Sequence, residues 1–284
     1  SKGGYSNLLP SLNALFKLGE RQRLRFSVSQ TLGRPTPGNV AQASSTSCAE
    51  DEDGGGYCTI RRGNPQLHPR KSTNLDLAWD LYFNGNNGIV SLALFDKTIK
   101  DDIYTLTTYQ VLDDVTYKVT QPMNTDESTL HGAELALANR ALRWGDQRFD
   151  LYFNATRLFG KTEYVTSDGQ PRALDRLLYQ PDWSLNGSAI WRMPWHNAQL
   201  RVSGNYRSKM LVDFGDTTWL DSYYDPYMTF NLGFSHRVSK HVSFKYEAKN
   251  LFNTQPTYSM GPGGRYRTEI DDYGRFFYFH IIYQ

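Results

Sequence analysis

Long apolar runs are missing from this 284-residue chain. None approaches the roughly 18 residues that a membrane helix needs. That excludes a helical span and leaves a β-barrel open, because barrel strands alternate apolar with polar residues. An excess of charge is missing as well. Lys plus Arg total 31 and Asp plus Glu total 29, so nothing marks nucleic acid as a partner. The chain has no glycine-rich phosphate loop and no His-x-x-x-His pair. Its histidines (His68, His131, His196, His236, His241 and His280) are scattered among turns and strands. Asp101-Asp102 and Asp271-Asp272 are adjacent pairs whose side chains would leave opposite faces of a strand. They read as solvated strand ends rather than paired acids and bases. No catalysis, metal or cofactor is therefore expected. Cysteine is scarce: Cys48 and Cys58 lie close together in a polar, Gly-rich segment. Two ligands make a poor zinc site, so a local disulfide in an oxidising compartment is the expectation.

Aromatics, at 14% with 19 Tyr and 15 Phe, are plentiful. Tyr and Trp suit positions where one end of a ring is apolar and the other wet, as at membrane interfaces. Strand-like alternation runs through the whole chain. Leu24, Phe26 and Val28 oppose Arg25, Ser27 and Ser29. Leu75, Leu77, Trp79, Leu81 and Phe83 oppose Asn74, Asp76, Ala78, Asp80 and Tyr82. The last stretch puts Phe277, Phe279, Ile281 and Tyr283 on one face and Phe276, Tyr278, His280 and Ile282 on the other. Period two with aromatic and β-branched residues means strand. About eleven strands follow from this reading. The connections alternate. Tight turns fall near 19–21, 84–88, 144–147, 194–197 and 239–241. Long loops fall near 33–70, 105–129, 160–181, 211–224 and 253–265, and the first of them holds the acidic run Glu50–Asp53.

Such a rhythm is that of a transmembrane antiparallel barrel, with short periplasmic turns and long extracellular loops. The class expected is all-β. On this scheme the final strand runs inward, so the C-terminus is periplasmic in a bacterial outer membrane, and Phe277, Phe279, Ile281 and Tyr283 meet lipid. His280 then looks into the lumen as a structural polar group. The first strand, near Leu8–Leu18, also runs inward. An odd count starting outside conflicts with the even number usual in bacterial barrels. The expectation is that residues 1–284 are the C-terminal part of a larger barrel.

Four stretches carry a resemblance. Leu8-Leu-Pro-Ser-Leu-Asn13 with Ser29-Gln-Thr-Leu-Gly-Arg-Pro35 looks like paired strands before a long outer loop. Gly63-Asn-Pro-Gln-Leu-His-Pro69, with Ser72 and Asn74, Asn250-Leu-Phe-Asn253, and the closing Tyr273-Gly-Arg-Phe-Phe-Tyr-Phe follow in order. Together they resemble the TonB-dependent outer-membrane receptors, although Tyr283-Gln284 replaces the usual final Phe. The resemblance implies a barrel of about 22 strands, half of it here. It implies an N-terminal plug and first barrel strands outside this sequence, and an inner-membrane TonB-type energy-coupling partner acting through that N-terminal region. It also implies uptake of a scarce small molecule, of the ferric siderophore or oligosaccharide class.

Loop aromatics and Arg forks are the binding candidates, since rings stack on sugars or chelators and guanidinium grips carboxylates. They are Tyr57, Arg61, Arg62, Trp219, Tyr223, Tyr224, Tyr258, Arg265 and Tyr266, together with Tyr164 and Arg267. Two readings compete: a passive porin or surface-exposed barrel without energy coupling, and a secreted soluble carbohydrate-binding β-sandwich.

Overall fold

The computed structural model describes residues 7–50, 56–112, 115–194 and 197–283. The acidic run beyond Glu50, most of the Gly54–Gly56 stretch, His196 and the terminal Gln284 lie outside them.

Strands dominate. In chain order they are β1 (Ser11–Lys17), β2 (Gln22–Gly33), β3 (Ser44–Glu50), β4 (Gly56–Arg62), β5 (Arg70–Phe83), β6 (Gly88–Lys100) and β7 (Ile103–Leu112). Then come β8 (Val115–Asn124), β9 (Glu127–Trp144), β10 (Gln147–Val165), β11 (Pro171–Leu174), β12 (Trp183–Arg192) and β13 (Ala198–Arg207). The last seven are β14 (Met210–Asp213), β15 (Ser222–Tyr224), β16 (Tyr227–Arg237), β17 (Val242–Lys249), β18 (Thr257–Met260), β19 (Tyr266–Ile270) and β20 (Phe276–Tyr283). One helical turn, α1 (Pro37–Val40), starts at Thr36, whose hydroxyl accepts from the Asn39 amide.

The principal sheet has 12 strands. Eleven form one antiparallel path, β1-β2-β5-β6-β9-β10-β12-β13-β16-β17-β20, and β11 pairs with the far end of β10. These eleven are the strands that alternation predicts. The path is one continuous sheet, not two sheets face to face, and β1 and β20 are its edges.

Register explains the two faces. Phe26 stands opposite Leu77 and Leu77 opposite Leu94. Leu151 stands opposite Ala189, Ala189 opposite Val202, Val202 opposite Leu232, and Ala248 opposite Phe277. The apolar residues of every strand therefore fall in continuous rows, which extend to Phe279, Ile281 and Tyr283. This face stays open: Phe277 is 71% exposed and Ile281 64%. Two indoles near the short-turn end are satisfied locally. Trp79 donates to the Gln22 amide oxygen at 3.1 Å and Trp191 to Gln147 at 2.7 Å.

The opposite face is a ladder of polar pairs. Asp80 accepts from Arg25 at 3.0 Å and from the Ser91 hydroxyl at 2.6 Å. Asp150 accepts from Arg192 at 2.9 and 2.6 Å. His280 lies 3.4 Å from Glu247, which also meets Lys245 at 3.1 Å. Asp76 and Asp80 thus do mark a polar face, as alternation predicts.

Short connections at 18–21, 84–87, 145–146, 193–197 and 238–241 fall at one end, and the long ones at the other. In the 84–87 turn Asn84, Gly85 and Asn86 all have positive φ (52°, 62° and 67°), a left-handed run that Asn and Gly tolerate best.

The long connections differ most from expectation. Segments 33–70 and 105–129 are not structureless: β3, β4, β7 and β8 form a four-stranded sheet within them. Segments 211–224 and 253–265, with the residues on to Ile270, form a second, β14-β15-β18-β19. In 160–181, β10 continues to Val165 and turns back as β11. Period-two reasoning misses these strands because they are short, polar and partnered across distant loops. The first strand begins at Ser11, after Pro10, rather than at Leu8.

Candidate functional site

The buried aromatic cluster lies at the long-loop end, where the far end of β10 meets the loops. Tyr104, Tyr164, Leu211 and Phe214 cluster there. Tyr164 stacks on Phe214 at 4.3 Å, and Tyr104 tilts against Tyr164 at 4.9 Å. Three separate loop regions are thereby packed together. Burial pushes the Tyr164 hydroxyl up to about 12, with a hydrogen bond to Thr162 opposing the shift.

The first loop sheet is closed by the disulfide. Cys48 stands opposite Cys58 in the β3–β4 pair, with an S–S distance of 2.06 Å. β4 then pairs in parallel with β8, which joins the 34–69 and 101–126 loops. The Gly63–Pro69 motif stitches the same junction. Asn64 donates to the Pro122 carbonyl at 3.0 Å, and the His68 amide donates to the Asn124 side chain at 2.9 Å. A Cβ at Gly63 would stand 2.2 Å from the Ala41 carbonyl oxygen, so glycine is required there. Arg61 and Arg62 are exposed and line a cavity of about 620 Å³ with Thr105, Thr120 and Gln121.

Polar ties, some of them buried, hold the second loop sheet. Arg172 donates both guanidinium arms to Asp221 at 2.7 Å, and also donates to the Gly215 carbonyl. Ser167 binds Asp216 through its amide at 2.6 Å and through its hydroxyl. Asp225 accepts from Ser259 at 2.7 Å and Thr257 at 3.1 Å, and lies 3.2 Å from the Lys209 ammonium. Lys209 also donates to the carbonyl of Gly263 at 2.8 Å. Gly264, at φ +70°, leaves no room for a Cβ, which would meet Ser259 and Lys209 within 2.7 Å.

These ties divide the candidate residues. Tyr223 sits under the Lys209 ammonium, and its hydroxyl donates to Asp221 at 3.4 Å. Tyr224 meets Tyr258 edge-on at 4.6 Å and receives Arg207 over its ring. The Tyr258 hydroxyl donates to Asp271 at 2.8 Å, which raises its pKa. All three rings are half-buried in scaffold contacts. Trp219, Arg265 and Tyr266 instead come together at the surface. Trp219, 57% exposed, stacks on Tyr266 at 6.0 Å, and the Arg265 guanidinium lies 5.8 Å from the Tyr266 ring. Arg267 is exposed on β19. The Tyr57 side chain lies outside the described residues. Arg172, Asp221, Asp225 and Asn64, which build this face, escape sequence reasoning because their partners lie tens of residues away.

Such an end presents rings for stacking and guanidinium groups for anionic oxygen. Among the described residues no group of three or more His, Cys, Asp or Glu side chains could hold a metal ion. No helix of the described residues is long and apolar enough to cross a membrane.

A single antiparallel sheet, apolar on one face, polar on the other and elaborated at one end only, is the wall of a membrane β-barrel. More specifically, the chain belongs to the family described as TonB dependent receptor-like, beta-barrel, which it matches over residues 1–251. Comparison with curated proteins returns no match. Among solved structures the chain is similar to the ferric enterobactin receptor of Pseudomonas aeruginosa, at 20% identity and a TM-score of 0.65, over 97% of this chain and 40% of that one. It is similar to the siderophore receptor PirA of Acinetobacter baumannii, at 18% identity and a TM-score of 0.62, over 98% and 41%. A third is the ferric-catecholate import receptor Fiu of E. coli K12, at 15% identity and a TM-score of 0.64, over 96% and 34%. The chain thus spans about two fifths of the length of the first of these structures.

Proposed function

We propose that the chain is the C-terminal part of the barrel of an outer-membrane receptor that takes up a scarce solute, of the ferric siderophore or oligosaccharide class. The observation that carries this is the asymmetry of the sheet. Its ends differ: one has only short turns, and the long connections of the other fold into two further sheets that bring Trp219, Arg265 and Tyr266 together at the surface. That end is extracellular in this reading, the C-terminus is periplasmic, and Phe277, Phe279, Ile281 and Tyr283 meet lipid. Trp219, Arg265 and Tyr266 form one contact surface for the solute, and Arg61 and Arg62 form another across the loop region. Tyr57, Tyr223, Tyr224 and Tyr258 remain candidates, the last three acting by holding the surface in shape. A plug and a TonB-contacting segment belong to the region preceding these residues. The structural neighbours are named as siderophore receptors, which favours an iron chelate over a sugar.

The test is binding of ferric siderophores against oligosaccharides by the full-length protein in detergent. Trp219→Ala with Tyr266→Ala should weaken the preferred ligand about tenfold or more, as expected for loss of stacked aromatic contacts. An unchanged affinity in the double variant would remove this surface from the site. Steady diffusion of small sugars through the reconstituted protein, with no saturable binding, would favour a passive porin.

A further inference from the structure

β7 prolongs a hairpin of the wall and ends with one side unpaired. Lys100 opposes Glu127 in the β6–β9 pair and Ile103 opposes Asn124 in the β7–β8 pair, so one register runs through both. Asp101, at φ +56°, turns the hairpin between them. Beyond that turn β8 takes β4 as its second, parallel partner. β7 is left as the last strand of the first loop sheet, and among the described residues β8 is its one strand partner.

The direction of the main chain follows from one bond. The Thr125 amide donates to the Asp102 carbonyl at 2.7 Å, and bonded pairs alternate with unbonded ones along an antiparallel ladder. Tyr104, Leu106, Thr108 and Gln110 therefore aim their N–H and C=O groups at β8. Thr105, Thr107, Tyr109 and Val111 aim theirs at the open edge. Tyr109 is 62% exposed and Val111 72%. Proteins normally blunt such an edge with charge, proline or brevity. The other loop-sheet edges follow that rule. β3 runs into Glu50–Asp53, β14 is four residues long and ends in Asp213, and β19 carries Arg267 and Glu269. Ile103–Leu112 has no charge, proline or glycine, and its Thr, Tyr, Ile and Val suit a strand.

A row of main-chain donors and acceptors is matched by another main chain. Thr105–Val111 offers about 23 Å of it. A strand laid there would meet Leu106, at the rim of the Tyr104–Tyr164–Phe214 cluster, on one face and Tyr109 and Val111 on the other. Both faces favour uncharged β-branched or aromatic neighbours. At its base the edge looks toward β10 of the same chain, where the Tyr104 hydroxyl accepts from the Val165 amide at 3.3 Å and donates to its carbonyl at 3.4 Å. That approach suits a slender segment better than a second copy, whose own loops would meet β10 and β11 first.

We propose that the free edge of β7, from Thr105 to Val111, takes up an extended, uncharged segment of another polypeptide as an added strand. That the segment arrives from outside the cell rests on the orientation proposed above, whereas the edge itself does not.

The experiment uses the intact protein in a nonionic detergent, where orientation plays no part, and reads amide hydrogen exchange along β7. The probe is a peptide of about eight residues, alternating Thr and Val between terminal lysines. Its control has every second amide N-methylated. Without peptide, the amides of Thr107, Tyr109 and Val111 should exchange much faster than those of Leu106 and Thr108. The peptide should slow the first set about tenfold or more, and the control should not. Thr107→Pro removes one edge donor while leaving the bonds to β8, and Tyr109→Lys adds a charge to the edge. Each should weaken the peptide about tenfold, as expected for one or two lost hydrogen bonds, with protection of Leu106 and Thr108 unchanged. No slowing with peptide at about 1 mM would overturn the proposal, as would equal action of the N-methylated control. Protection of the edge amides before peptide is added would overturn it too, assigning the edge to the protein's own chain, or to a second copy if that protection grows with protein concentration.

Discussion

Replacing Arg172 with Met should release the second loop sheet while leaving the barrel wall intact. The side chains of Arg172 and Asp221 are 13% and 3% exposed, and two 2.7 Å bonds join them. Removing one partner of a buried ion pair costs about 3–5 kcal/mol, because the other charge stays buried. In the Met variant the Asp221 carboxylate keeps, among the described residues, two long contacts, the Tyr223 hydroxyl and the Gly215 amide, each at 3.4 Å. Even the lower figure raises the open population of this region by about 100-fold. Amide hydrogen exchange reads that directly: protection across 210–224 and 257–260 should fall by about two decades, while β12, β13 and β16 stay unchanged. A second variant controls for packing. Arg172→Met with Asp221→Leu removes both charges and should recover much of the protection, since a buried pair is often replaceable by apolar residues. Unaltered exchange in Arg172→Met, or a double variant worse than the single one, would refute the argument.

The Tyr164 hydroxyl gives a pH dependence. Its folded pKa, about 12, lies above the ordinary value of 10.0. The neutral form is favoured by the fold, so the stabilisation is complete below pH 10 and is lost as pH rises from 10 through 12. Near-UV circular dichroism of the loop aromatics should report this loss, worth a few kcal/mol, and Tyr164→Phe should flatten it. An equal alkaline slope in that variant would assign the effect elsewhere. Cys48→Ser opens the covalent tie between β3 and β4 and should speed proteolysis within 34–69 severalfold without changing barrel assembly, and identical digestion would count against a stabilising role for the bond.

The eleven-strand path is legible in the sequence because each strand has two chemically distinct environments. Leu24, Phe26 and Val28 need one side and Arg25 the other, and a slip of one residue would exchange them. Asn84–Gly88 is equally legible, since few other residues tolerate three consecutive positive φ angles. The loop sheets lack that signature. β4 has Arg61 and Arg62 side by side, and its partner β8 comes from the next loop in parallel. Nothing local encodes that pairing. The same reason hides the division among the aromatic candidates. Tyr258 and Tyr266 look alike in sequence, but Asp271 lies beside the first hydroxyl and solvent around the second ring. Asn250 of the Asn-Leu-Phe-Asn motif is a recognisable pattern whose work appears only in three dimensions. At φ +53° it donates to the carbonyls of Thr254 and Gly274, each at 3.0 Å, and accepts from the Thr254 amide at 2.8 Å.

The direct test of the barrel-wall account is a nitroxide scan along β20 in the full-length protein reconstituted in lipid bilayers. Labels at 277, 279 and 281 should be relaxed by membrane-dissolved oxygen, and labels at 278 and 280 by a water-soluble nickel chelate, in strict alternation. Uniform access of the nickel chelate to all five positions would contradict a lipid-facing sheet, and with it the receptor that the sheet is proposed to serve.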